Sequence, residues 1–202
     1  MKTVRVMIAA VLYLMIFACG KSSSSSTPSG PTAEELCDSG WTAYEATEYG
    51  EALSYFTDAM EVDEEYDEAY TGRGWAYLRS ELLSQAKIDF QTVTAGATET
   101  DYRALIGLGS IYVTENQGTS VVTLLSPHVN IPNTWSHDHD TDVLAIDLHN
   151  LLAEGYIMTG VEGDEATSGV NAPDAWGQVK KSLSLDPTDV KALEIQAYLR
   201  GE

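Results

Sequence analysis

From residue 33 onward, small and apolar side chains return at nearly constant intervals. Gly40, Gly74 and Gly109 stand 34 and 35 positions apart, Ala52 and Ala86 stand 34 apart, Phe56 and Phe90 stand 34 apart, and Tyr77 and Tyr112 stand 35 apart. Several positions sharing one period predict repeated pairs of amphipathic helices. One pair cannot bury its own apolar face, so neighbouring pairs must stack. The glycines are expected where the first helix of a pair approaches the second, with Ala52 and Ala86 facing them, because a larger side chain there would hold the helices apart. Phe56, Phe90 and Leu125 are expected to fill the gap to the next pair.

The punctuation agrees with this period. Thr32-x-x-Glu35, just after Pro31, is a capping box that opens the first unit, about Ala33 to Tyr66. The second unit runs from Asp67 to about Thr100. The third, roughly Tyr102 to Trp135, has a degenerate second helix in which Val121 and Leu125 replace Ala and Phe and which Pro127 should stop early. The fourth is split by a polar insertion at Gly160 to Gly169, after a first helix carrying Leu151-x-x-Glu154-Gly155-x-x-Met158 and before a second beginning near Ala175. Gly155 is expected at the same place as the earlier glycines. A last helix, about Asp189 to Leu199 and ended by Gly201, should cover the end of the stack.

The segments Leu105-x-x-Leu108-Gly109-x-x-Tyr112 and Tyr70-x-x-Arg73-Gly74-x-x-Tyr77, followed by Ala86-x-x-x-Phe90, make residues 33–202 resemble the tetratricopeptide-repeat (TPR) family. That resemblance implies an all-α solenoid of about four helix hairpins plus a C-terminal capping helix. It also implies a groove lined by the first helix of each pair and used to hold a peptide or protein partner. Carried across residue by residue, the groove positions are Trp41, Tyr44 and Glu45, then Trp75 and Arg79, then Arg103 and Ser110, then Tyr156. Cys37, His149 and Thr71 fall at further positions of the same set. Trp41 and Trp75, 34 residues apart, are the strongest contact candidates, since an exposed Trp offers a large rigid area at low entropic cost.

The first 32 residues follow a different pattern. Lys2 and Arg5 precede an apolar run of 13 residues, Val6 to Ala18, too short to span a bilayer. The run ends in Ile16-Phe17-Ala18-Cys19-Gly20, which resembles the bacterial lipoprotein box. The resemblance implies a signal peptide at 1–18, cleavage behind Ala18, lipidation of Cys19 and, with Gly at position 20, residence in the outer membrane of a two-membrane bacterium; it leaves the face of that membrane open, and the periplasmic face is the expectation. Residues 19–32, rich in Ser and holding no apolar side chain after Cys19, are expected to be a flexible tether.

Charge narrows the choice of partner. The 202-residue chain carries 11 Lys plus Arg against 31 Asp plus Glu, a net charge of -20. Nucleic acid is excluded, because phosphate recognition needs clustered cations. An anionic lipid surface would be repelled, so membrane attachment is expected through the lipid anchor alone. The acidic run from Asp58 to Glu68 is expected to be a solvated face, with a docking patch for a basic partner as the alternative.

All four histidines lie between 128 and 149, densest in His137-Asp138-His139-Asp140-Thr141-Asp142. Imidazole and carboxylate ligands suit a divalent ion, and His137, His139 and Asp140 are the candidates. A calcium loop is excluded, because Val143 stands where the sharp turn needs Gly and His149 where a bidentate Glu is needed. The competing expectation is a helix start, with Asp140 or Thr141 as its cap. No nucleophile elbow, phosphate loop or zinc-protease helix motif occurs, so neither catalysis nor a cofactor is expected. The leading expectation is therefore an envelope scaffold, and the alternative is a metal or small-ligand binder using 128–149.

Overall fold

A computed structural model describes residues 30–96 and 99–202. The signal-peptide, lipidation and most of the tether expectations lie outside the described residues. Thr32–Glu202 form one unit, built from helices α1 (Ala33–Glu45), α2 (Tyr49–Val62), α3 (Asp67–Arg79), α4 (Leu83–Gly96), α5 (Tyr102–Thr114) and α6 (Gly118–Leu125). A 3-10 turn (Ser126–His128), two strands β1 (Ser136–His137) and β2 (Asp140–Leu144), and helices α7 (Ala145–Met158), α8 (Ala175–Leu185) and α9 (Val190–Arg200) complete the chain. The helices form four successive hairpins and a C-terminal helix, the expected all-α solenoid. Among the described residues, no helix is long and apolar enough to cross a membrane.

The period is built into the core as a repeating wedge. Phe56 is fully buried, and a Cβ placed on Gly40 of its own pair or on Gly72 of the next would come within 2.7 and 2.3 Å of its ring. Phe90 stands between Gly74 and Gly107 in the same way, at 2.6 and 2.5 Å. Each ring thus fills the gap between two pairs, and the missing side chain on both flanking helices is what admits it. Leu125 does the same for Gly109 with a smaller side chain, at 3.0 Å. Ala52 and Ala86 are fully buried as expected.

The turns within the pairs obey the same period. Thr47, Glu81, Asn116 and Gly160 each follow their helix's last residue by two and have φ of 62°, 62°, 56° and 75°. In all four, the next amide donates back five residues: Glu48 to Ala43, Leu82 to Tyr77, Gln117 to Tyr112 and Val161 to Tyr156, at 2.8–2.9 Å. This closure satisfies carbonyls that the helix end would otherwise leave open.

Caps set the helix starts. The Thr32 hydroxyl accepts from the Glu35 amide while the Glu35 carboxylate accepts from the Thr32 amide, the expected box. Asp101, Asp174 and Asp189 cap α5, α8 and α9 by accepting backbone N–H groups. Arg73, which stands where the third unit has Leu108, is paired through two 2.8 Å bonds with the buried carboxylate of Asp89.

Two expectations are corrected. Gly155 does not face α8 of its own pair. A Cβ there would meet Val121 at 2.8 Å and Val122 at 3.3 Å, both on α6. The reason is register: Gly40, Gly74 and Gly109 each stand seven residues before the turn residues Thr47, Glu81 and Asn116, whereas the residue seven before Gly160 is Ala153, fully buried beside Val179 of α8, so Gly155, two positions later, turns to the preceding pair. Nor do Asp140 and Thr141 cap a helix. They lie in β2, and α7 starts at Ala145, where the Asp147 carboxylate accepts from the Leu144 amide at 2.7 Å.

Candidate functional site: the inner face and its hairpin

The first helices α1, α3 and α5 lie side by side and present one common face. That face is where the candidate groove residues were expected to meet a partner. It is covered instead by the chain's own segment 129–144.

The covering segment leaves α6 through the 3-10 turn, buries Ile131, and sets the Trp135 ring 5.7 Å from that of Tyr102. A short antiparallel hairpin follows, pairing Ser136 with Leu144 and His137 with Asp140, its register irregular between 136 and 137. The Ala145 amide donates to the Trp135 carbonyl at 3.0 Å and closes the neck. Of the strand β2, only Val143 is buried. The hairpin's remaining buried contacts come from its tip.

His137 enters deepest. Its side chain is fully buried, edge-on to Trp41 at 5.4 Å and to Trp75 at 5.0 Å. Its Nδ1 accepts from the His139 amide at 3.0 Å, which places the proton of the neutral ring on Nε2. Burial, helped by the nearby Arg103 charge, pushes its pKa down to about 3. The ring is thus neutral at physiological pH. His139 lies flat on Trp41, centroids 4.2 Å apart and planes 11° apart, and its Nδ1 is 2.7 Å from the Glu45 carboxylate.

Asp140 is the polar anchor. Its Oδ2 accepts from the Tyr44 hydroxyl at 2.8 Å and from the Arg79 guanidinium, Nε at 3.1 Å and Nη2 as well. Burial alone would raise its pKa, but the bonds from Arg79 and Tyr44 outweigh it and hold the carboxyl below its ordinary value. The same surroundings push Tyr44 upward, chiefly through burial.

A second network fixes the floor. Glu68 accepts from the Trp41 indole N–H at 2.7 Å and from both arms of Arg103 at 2.7 and 2.6 Å. Asp101 accepts from Arg103 and from the buried Thr71 hydroxyl at 2.8 Å. Burial works against the Arg103 charge, and Glu68 and Asp101 more than restore it. Sequence reading left Glu68 in the acidic run and gave Asp101 no role. The signal was present: Glu68 and Arg103 occupy the second position of α3 and α5, 35 residues apart, so they meet across adjacent pairs.

The site expectations are corrected accordingly. Trp41 and Trp75 are not exposed; each is 3 % accessible, because the hairpin lies over them. Tyr44 is buried and Arg103 partly so, while Glu45 and Arg79 stay at the rim. Ser110 lies beyond the hairpin, its hydroxyl donating to the Gly107 carbonyl at 2.7 Å, in a cleft of about 420 Å³ shared with Trp75, Leu78, Ile106 and Val143. Tyr156 is buried in α7 and takes no part in the hairpin's side-chain hydrogen bonds. His149 is buried on Gln178, Nδ1 to Oε1 2.9 Å. Cys37 is buried, and burial, then Glu68 and Asp38, push its thiol up to about 12, far from a reactive thiolate.

The metal candidates do not converge. The rings of His137 and His139 are 6.3 Å apart and 78° out of plane, and each Nδ1 already has a partner. Among the described residues, no group of three or more His, Cys, Asp or Glu is arranged to hold a metal ion.

The seating is imperfect in one respect. Trp75 Nε1 and His137 Nε2 are both buried without an acceptor among the described residues. Each such N–H costs about 1–3 kcal/mol relative to a bonded one.

No family model matches the chain, and no curated protein matches it. Among solved structures, YrrB, described as a TPR protein with an unusual peptide-binding site, is similar over 81% of this chain and 91% of that one, at 20% identity and a TM-score of 0.49.

Proposed function

We propose that this chain is a helical-repeat interaction scaffold, held at the outer membrane by a lipid on Cys19 and facing the periplasm, whose inner face takes an extended protein segment. One observation carries the binding part. The face already holds an extended segment, its own, through a ring stack on Trp41 and a carboxylate on Arg79 and Tyr44. Side-chain recognition of that kind is what a peptide groove does. The anchoring part rests on the sequence, where a basic start, a short apolar run and a terminal Cys act together.

Catalysis receives no support from this geometry, because the ionisable groups of the face are tied to each other. A metal-binding role would need His137 and His139 to converge, and they do not.

Two measurements test the reading. Cys19→Ser is expected to move the protein from the membrane fraction to the soluble one with its helical signal unchanged. A photo-crosslinker at Leu78, beside the hairpin, is expected to trap a discrete protein partner in the intact envelope. Membrane retention of the Cys19 variant, or an absence of any trapped protein, would count against it.

A further inference from the structure

The hairpin's grip is local and partly wet. The Arg79 side chain that holds Asp140 is 39% exposed, and the Glu45 side chain that holds His139 is 55% exposed. Deeper in, Trp75 and His137 each keep a buried N–H without an acceptor. Charge is also poorly matched: the hairpin places Asp138 and Asp142 at a cleft of about 620 Å³ whose lining holds Glu45 and, as its one Lys or Arg, Arg79, already paired with Asp140. By contrast, Trp135 against Tyr102 and the buried Val143 hold the two ends of the segment. The tip can therefore leave while its ends stay.

We propose that the tip of the 136–144 hairpin is an internal ligand of the inner face, displaced when a partner binds. The partner presents an extended segment with a planar ring immediately before one carboxylate, flanked by neutral or basic residues. The inference rests on the scaffold reading and names the chemistry of its partner. The ring takes the place of His139 on Trp41, and the carboxylate takes the place of Asp140 on Arg79 and Tyr44. Basic flanks replace Asp138 and Asp142, which share their cleft with Glu45 and with an Arg79 that the carboxylate already occupies. A backbone carbonyl of the incoming segment can accept the Trp75 N–H, which the hairpin leaves unbonded.

A tethered ligand competes at an effective concentration in the millimolar range. A free segment with the same contacts is thus masked in the native chain, and weakening the tip should unmask it.

The test uses the full chain and a fluorescent peptide copying Trp135–Leu144, alongside a version with Lys in place of Asp138 and Asp142. The double variant His139→Ala with Asp140→Asn loosens the tip and leaves Trp41, Tyr44 and Arg79 untouched. It is expected to bind the copy at least tenfold more tightly than the native chain, and the lysine version more tightly still. Adding Arg79→Ala should abolish both. Should the double variant fold poorly, hydrogen exchange on the native chain with saturating lysine peptide replaces it, and faster exchange of the 137–140 amides is expected.

Equal peptide binding by native and loosened chains, or unchanged exchange under saturating peptide, would overturn the proposal. So would a concentration-dependent dimer that needs the intact hairpin, which would assign the face to a second copy of the chain. A missing envelope partner with peptide binding intact would instead strike only at the scaffold reading.

Discussion

The first two helix pairs and the 129–144 segment bury aromatic side chains against each other, yet they do it by different rules. In the pairs, a phenylalanine ring enters a slot prepared twice by glycine, Gly40 and Gly72 for Phe56, Gly74 and Gly107 for Phe90. Ring and slot are both apolar, and the helices supply their own backbone hydrogen bonds. In the hairpin, a histidine enters between two tryptophans, brings a titratable ring out of water, and leaves two N–H groups unbonded. The first arrangement makes the stack; the second closes one face of it. Stability should therefore reside in the wedges and adaptability in the tip.

The widest gap between the two regions should appear when a wedge is removed. Phe56→Ala empties a fully buried slot flanked by glycines that cannot lean in to fill it. A loss of about 3–5 kcal/mol is expected, seen in denaturant melts followed by the helical signal. A loss under about 1 kcal/mol would mean that the pairs do not depend on the ring, and the wedge account would fall.

This contrast also explains what could be read in advance. Gly40, Gly74, Ala52, Ala86, Phe56 and Phe90 were legible because tight packing leaves each position few alternatives, so the residue type itself repeats. Gly72 and Gly107 carry the same spacing of 35 and were visible in principle. Gly155 was misplaced because the equivalent position in α7 is Ala153, seven residues before the turn at Gly160, and the glycine stands two positions later. The hairpin was not legible as one. It occurs once, so no period marks it, and Ser136–Leu144 is polar at nearly every position with Val143 and His137 alone buried. Its Asp-rich start resembles a helix cap as closely as a strand. The candidate groove residues lie on the first helix of each pair, and what sequence could not show was that the chain itself covers Trp41, Tyr44 and Trp75.

Acid offers a finer separation. With its pKa near 3 in the fold against an ordinary 6.5, His137 binds its proton in the unfolded chain first. The unfolded state then holds more protons between those values, so stability falls as pH drops below about 6.5 and stops falling near 3. His128 and His149 are lowered as well and add to the same slope, whereas Asp147, raised by burial, opposes it at lower pH. His137→Asn keeps an acceptor for the His139 amide and removes the titration. Between pH 7 and 5.5 the native chain is expected to lose about 1 kcal/mol more than this variant, measured by urea melts at each pH. Parallel losses would mean that His137 is not the buried neutral ring described here.

The smallest global effect should come from the tip's polar anchor, and its smallness is informative. Asp140→Asn keeps an acceptor for Tyr44 and removes the charge that faces Arg79. Because the Arg79 side chain is 39% exposed, against 11% for Asp140, water and salt screen that pair from one side. The expected loss of overall stability is about 0.5 kcal/mol or less. Locally the change should be plain, since Asp140 adjoins His139, whose ring covers Trp41. Trp41 emission should shift toward that of a hydrated indole while the helical signal and melting midpoint stay nearly unchanged, and raising salt should move the native chain in the same direction. If the midpoint instead fell as far as it does for Phe56→Ala, the tip would belong to the core. A face sealed that firmly would have no segment to exchange.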